Sequence, residues 1–176
     1  MPQLSRSETL DFLGEREHLL RLATVDVNGM PRLAPVWCTH RPGTGDRLGT
    51  ILFTPRERSV FLANLRRDAR IALSIDEDAL PYRKLSVQGR AEIVHEVGND
   101  DAWRDLYREI ACRFLDEDGA DRYLAATRDQ PRALVAVDLD GAAVTTWRMP
   151  LDDEPATGIW AAQYYADGSR MQQRLT

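Results

Sequence analysis

Along the chain, apolar positions switch between a period of two and a helical period, and each switch marks an element. LLRLATVDV, residues 19–27, is rich in β-branched and apolar residues and runs into Asn28-Gly29, a strong hairpin signal. PRLAPVWCT, residues 31–39, reads as the returning strand. Pro35 within it cannot donate to a ladder, which points to an edge, a bulge or a bend toward a ligand. The stretch holding Pro42, Gly43, Gly45 and Gly49 is a turn region. TILFT (residues 50–54) and ARIALSID (residues 69–76) follow as third and fourth strands. KLSVQGRAEIVHE, residues 84–96, is a long alternating fifth, with Gly89 marking a bulge or a close backbone approach. RALVAVDLDGAAVTTWRM, residues 132–149, returns to β and turns near Asp140-Gly141.

Helical spacing predicts four further elements. Ser7 caps a short helix that carries Leu10 and Leu13 and stops at Gly14. Thr54 caps a second, with Pro55 in its first position and Val60, Phe61, Asn64 and Leu65 at helical spacing. Arg66, Arg67 and Arg70 lie at or beyond its C-terminal end, where cations suit the helix dipole. Asn99 or Asp100 caps a third, whose stripe is Trp103, Leu106, Tyr107, Ile110 and Phe114. Residues 118–127 form the fourth. About six antiparallel strands, a helix after the third and a helical insertion at about 99–128 predict a mainly β, α+β fold. Its expected form is a small β-barrel with helices on its rim over residues 1–150. A polar tail, 151–176, carries Trp160, Tyr164 and Tyr165.

Composition narrows the function classes. The 176 residues are 43% hydrophobic, enough for one core. Lys and Arg total 23 against 28 Asp and Glu, and the net charge of −5 argues against nucleic-acid binding through a broad basic face. No stretch has a signal-peptide h-region or the length of a membrane span, so a cytoplasmic protein with no membrane partner is expected. Cys38 and Cys112 are far apart and outside any CxxC pair, so two buried thiols are expected rather than a disulfide or a zinc site. His18, His40 and His95 have no ligand spacing, and no nucleophile elbow, zinc-protease, P-loop or dinucleotide motif is present. The runs Asp76-Glu77-Asp78 and Asp152-Asp153-Glu154 read as solvated loops.

Three stretches carry candidate chemistry. In Phe53-Thr54-Pro55-Arg56-Glu57-Arg58-Ser59 a strand gives way to a helix start bearing two arginines and a serine hydroxyl. Free amides there favour an anion, and a bound phosphate would remove the conflict between arginines and the positive end of the helix. Arg83 and Lys84 open the fifth strand as a second cationic pair. Trp147-Arg148 ends the last strand as an aromatic wall with a cation beside it. No side chain stands out as a catalytic acid or base.

The ordered segments ATVDVNGMPRLAPVW, ILFTPRERS, NLRRDARIALSID and VQGRAEIV resemble the pyridoxamine 5'-phosphate oxidase-like superfamily, split β-barrel proteins that bind flavins and deazaflavins, over roughly residues 15–148. The resemblance implies a homodimer with cofactor sites at the subunit interface, a small-molecule substrate and hydride-transfer chemistry. It places the cofactor ring against Leu33, Ala34, Pro35, Val36 and Trp37, and the phosphate at Phe53, Thr54, Arg56, Arg58 and Ser59. Arg83 and Lys84 approach the phosphate or substrate, and Trp147 comes from the partner. FMN is the implied cofactor. Val60 and Phe61 stand where the family has Arg and Lys after the serine, which opens the site to the deazaflavin coenzyme F-420 or to haem. The C-terminal arginine-histidine pattern of the pyridoxamine phosphate oxidases is missing after Trp147, so that activity is not expected. The alternative is a flavin or haem carrier of the same fold that catalyses nothing.

Overall fold

A computed structural model describes residues 2–151 and 154. The alternating segments form strands β1 (Leu20–Val25), β2 (Pro31–Val36), β3 (Cys38–Arg41), β4 (Thr50–Phe53), β5 (Arg70–Asp76), β6 (Lys84–Arg90), β7 (Glu92–His95), β8 (Leu134–Asp138) and β9 (Ala143–Trp147). All pairings are antiparallel, in two sheets of order β2-β1-β5-β6-β9 and β3-β4-β8-β7. The fold is an α+β split barrel. The nine strands among the described residues exceed the expected six because three long runs divide. The second run breaks at Trp37 and the fifth at Ala91, each passing from one sheet to the other, while the last turns at Asp140-Gly141 as expected.

Inward positions of both sheets meet in one core. Leu20, Leu22, Ile71, Leu73, Ile75, Leu85 and Val87 face Cys38, Ile51, Phe53, Val135 and Val137. Each such burial contributes about 1.5–3 kcal/mol before the entropy of ordering is charged against it. Pro35 lies on the edge strand β2, where the sheet requires no donor from it. Gly89 pairs with Ile71 without a register break, and an added Cβ would stand 2.9 Å from the Ala142 Cβ, so its role is close approach. The register irregularity falls between Ile93 and His95.

The helices are α1 (Arg6–Gly14), α2 (Val60–Arg67), α3 (Arg104–Cys112) and α4 (Glu117–Ala126), with a 3₁₀ turn at Asp100–Trp103. α1 begins two residues earlier than expected, because Ser5 rather than Ser7 forms a capping box with Glu8. Asn99 makes no side-chain cap. Asp116 caps α4 through the Gly119 amide. Cys38 is buried, which pushes its thiol up to about 11, but Cys112 is only half-buried, against expectation. Glu77 is not solvated either: its carboxylate is 11% exposed and holds Arg83. Among the described residues no helix is long and apolar enough to cross a membrane. Trp160, Tyr164 and Tyr165 lie outside the described residues.

Candidate functional site

Where the second run breaks, Trp37 swings out of the strand and stacks on Phe114, with ring centroids 5.2 Å apart and planes 5° apart. Tyr123 of α4 closes on the same indole at 5.0 Å and 60°. The helical insertion thereby lays an aromatic wall beside the open edge of β2. The opposite side comes from the segment after β4, which does not turn directly into a helix. Ala133 donates its amide to Pro55 O (3.0 Å), Glu57 donates to Pro131 O (2.8 Å), and Arg56 forms a β-bridge with Arg132. This pairing ties Pro55 and Arg56 to the segment before β8, with a turn at Glu57-Arg58, and overrides the Thr54-Pro55 helix signal. α2 therefore starts at Val60, with Ser59 as its cap, accepting from the Leu62 amide at 3.4 Å. Arg56 and Arg58 precede the helix instead of lying in its first turn.

Between these walls is a cleft of about 490 Å³ bounded by Pro35, Val36, Trp37, Phe53, Thr54, Arg56, Arg58, Ser59, Phe61, Tyr107, Tyr123 and Arg132. Eight of the thirteen anticipated residues are brought together there: Pro35, Val36, Trp37, Phe53, Thr54, Arg56, Arg58 and Ser59. Leu33 and Ala34 lie on the adjoining part of β2, with Leu33 exposed, and do not line the cleft.

Arg83, Lys84 and Trp147 lie elsewhere in the chain's own fold. Arg83 donates to Glu15 and Glu77 and sits 4.9 Å above the Phe12 ring. Lys84 is opposite Trp147 in the sheet, with Nζ 5.7 Å from the indole. Glu15, His18 and Glu77 have ligand atoms within 4.8 Å of one another, but the Arg83 guanidinium already bridges the two carboxylates and supplies the positive charge a metal would bring.

The cleft gathers cations that meet no carboxylate. Elsewhere many arginines are paired, as Arg32 is with Asp26 and Arg66 with Glu96. Arg56, Arg58 and Arg132 have no carboxylate partner among the described residues. Arg58 is exposed and makes no hydrogen bond there. Arg132 is only 6% exposed, donates to Thr54 O (2.8 Å) and to the Tyr123 hydroxyl (3.0 Å), and lies 4.3 Å over the Tyr107 ring. Its Nε is buried without a partner. A buried cation without a counter-ion carries a large desolvation penalty, which an anion in the cleft would offset.

Phe61, Tyr107, Tyr123 and Arg132 escaped the sequence reading as site residues. Tyr107 belongs to the readable apolar stripe of α3, but its hydroxyl gives no local sign of facing a cleft. Arg132 looks like the ordinary start of a strand.

A split barrel with a cationic, aromatic cleft at its break defines the class of protein. The profile of the pyridoxamine 5'-phosphate oxidase family matches residues 7–148, and the chain belongs to that family. Solved structures share the fold. The protein Atu2129 from Agrobacterium tumefaciens is 24% identical with a TM-score of 0.57, over 79% of this chain and 55% of its own. The chain thus spans little more than half the length of that protein. The conserved hypothetical protein Rv2991 from Mycobacterium tuberculosis is 21% identical with a TM-score of 0.62, over 88% of this chain and 94% of its own. An F420 reductase is 23% identical with a TM-score of 0.54, over 81% of this chain and 98% of its own. No curated protein matches the chain.

Proposed function

We propose that the chain is a flavin- or deazaflavin-dependent oxidoreductase that binds its cofactor in this cleft and works as a homodimer on a small organic substrate. The observation that carries the reading is the group of three guanidiniums without carboxylates, Arg56, Arg58 and Arg132, beside an aromatic wall. Such a cleft suits a planar ring with an anionic tail. Arg58 would hold the tail through charge-assisted hydrogen bonds, and the backbone of Val36 and Trp37 would bound the ring. The Ser59 hydroxyl is committed to Arg56 O and to capping α2, so it offers the tail less than a free serine would. FMN and a deazaflavin both satisfy this description, and the similar F420 reductase favours the latter as an equal candidate.

The bound cofactor would supply hydride transfer. The chain's own part is to bind it, orient it and exclude water. The homodimer rests on β2, an edge strand with Leu33 71% exposed and Met30, just before it, 60% exposed, which also lends Pro35 and Val36 to the cleft. A second copy placed there would cover the apolar residues and close the site.

The absorbance spectrum of the purified protein tests the reading. A flavin or deazaflavin band, bleached by borohydride and restored by an electron acceptor, is the expected result. A haem Soret band, or a colourless protein that takes up neither FMN nor a deazaflavin, contradicts it.

A further inference from the structure

Tyr123 occupies a position that the binding of an anionic tail does not explain. Its hydroxyl borders the cleft and accepts two hydrogen bonds from cations, Arg56 Nη2 at 3.2 Å and Arg132 Nη2 at 3.0 Å. A phenol oxygen has two lone pairs and one proton. Guanidiniums can only donate, so neither arginine engages the hydroxyl's own proton. The ring is fixed by Trp37 at 5.0 Å and Tyr107 at 6.1 Å, so the hydroxyl is held in place.

We propose that Tyr123 is the catalytic proton donor of this cleft, serving an acceptor whose reduction needs a proton as well as a hydride, such as a conjugated carbonyl or a quinone. The role rests on the oxidoreductase reading above. In the step, substrate carbon gains a hydride, and with it two electrons, from the reduced flavin or deazaflavin. The substrate oxygen takes the proton as the Tyr123 Oη–H bond breaks. The electron pair of that bond stays on the phenolate oxygen, which Arg56 and Arg132 hold until solvent returns a proton. Donors fixed in advance on the developing anion are what make such a group an effective acid.

The surroundings agree. Burial alone would raise the Tyr123 pKa, but hydrogen bonds from Tyr107 and Arg56 and the charge of Arg132 outweigh it, and the net effect is downward. Tyr107 moves the other way, pushed up to about 12 chiefly by burial. The two shifts run in opposite directions, and Tyr123 is the more acidic phenol of the two. The groups facing Tyr123 are Arg56 from the segment after β4, Arg132 from the segment before β8 and Tyr107 from α3, all cationic or neutral. The carboxylate of Asp100 is engaged by the Arg132 backbone amide at 2.7 Å, not by its guanidinium.

Two measurements test the proposal. In cofactor-free protein, near-ultraviolet titration of phenolate should show one tyrosine ionising below the usual value near 10. Tyr123→Phe should remove that step, and Arg132→Met or the milder Arg56→Met should move it upward. Loss of only an ordinary step in Tyr123→Phe overturns the proposal.

In protein loaded with reduced FMN or deazaflavin, anaerobic single-turnover reoxidation by menadione should slow about 100-fold in Tyr123→Phe. Its solvent isotope effect should vanish while the cofactor dissociation constant stays the same. An unchanged rate and isotope effect overturn the role. A cleft that takes up no cofactor, with the titration as expected, removes the oxidoreductase reading and the donor role together but leaves the acidity of Tyr123 standing.

Discussion

Arg58 and Arg132 carry the same charge in opposite settings, and their substitution should separate affinity from architecture. Arg58 is exposed and unpaired, so Arg58→Ala removes only what it gives a bound anion. We expect the cofactor dissociation constant to rise about ten- to a hundredfold, on the order of 1.5–3 kcal/mol, with unfolding in urea unchanged. Arg132 also ties Thr54 to Tyr123, so its loss should affect both affinity and stability.

Arg83 provides the contrast of a paired cation. It holds the carboxyls of Glu15 and Glu77 below the ordinary glutamate value. A depressed folded-state pKa means the stabilisation is complete above the unfolded value of about 4.5 and is lost as pH falls through the folded one. Glu77→Gln should therefore lower stability by about 2 kcal/mol at pH 7. The gap to the unsubstituted protein should narrow as pH drops below the glutamate range. A gap that stays constant with pH contradicts the pairing.

Elements were legible where the local pattern was the only influence and misread where a distant partner intervened. The Asn28-Gly29 hairpin forms with Gly29 at φ +79°, but its loop is longer than two residues. The reason is Asp26, whose carboxylate captures the amides of Asn28 (2.8 Å) and Met30 (3.0 Å). Thr54-Pro55 is a sound helix signal, but backbone pairing with Pro131–Ala133, about 75 residues away, overrides it. The strand breaks at Trp37 and Ala91 fall two residues beyond Pro35 and Gly89, whose signals mark an irregularity but not a change of sheet.

One glycine is fixed by an element boundary. Gly49 sits at φ +95°, and an added Cβ would stand 2.1 Å from Arg41 O and 2.4 Å from Gly43 N. Gly49→Ala should cost about 3 kcal/mol or more in urea unfolding. A loss under 1 kcal/mol, roughly the helix-independent cost of a tolerated change, would mean the turn is not held this way.

At the scale of the whole molecule, the sequence conveyed the barrel and eight of the twelve residues that line the cleft. Those eight lie in two short stretches, 35–37 and 53–59, so their chemistry reads along the chain. The others are Phe61 of α2, Tyr107 and Tyr123 of the insertion folded back over the strand break, and Arg132 just before β8. Nothing near Arg132 marks it as a buried cation. Arg83, Lys84 and Trp147 were anticipated at the cofactor, and within one chain they are spent on other contacts.

The proposed homodimer makes its own prediction. Leu33→Lys on the exposed edge should shift sedimentation toward monomer and release cofactor on dilution. A monomer with full cofactor occupancy contradicts a shared site.

We propose that Arg56, Arg58 and Arg132 form a binding site for an anionic-tailed ring cofactor beside Trp37. The most direct test is equilibrium titration of cofactor-free protein with FMN and with a deazaflavin, followed by tryptophan fluorescence, in the natural chain and in the three arginine variants. Saturable quenching by at least one of the two, weakened in each variant, is the result expected. Affinity that is absent, or that none of the three substitutions alters, would contradict the claim.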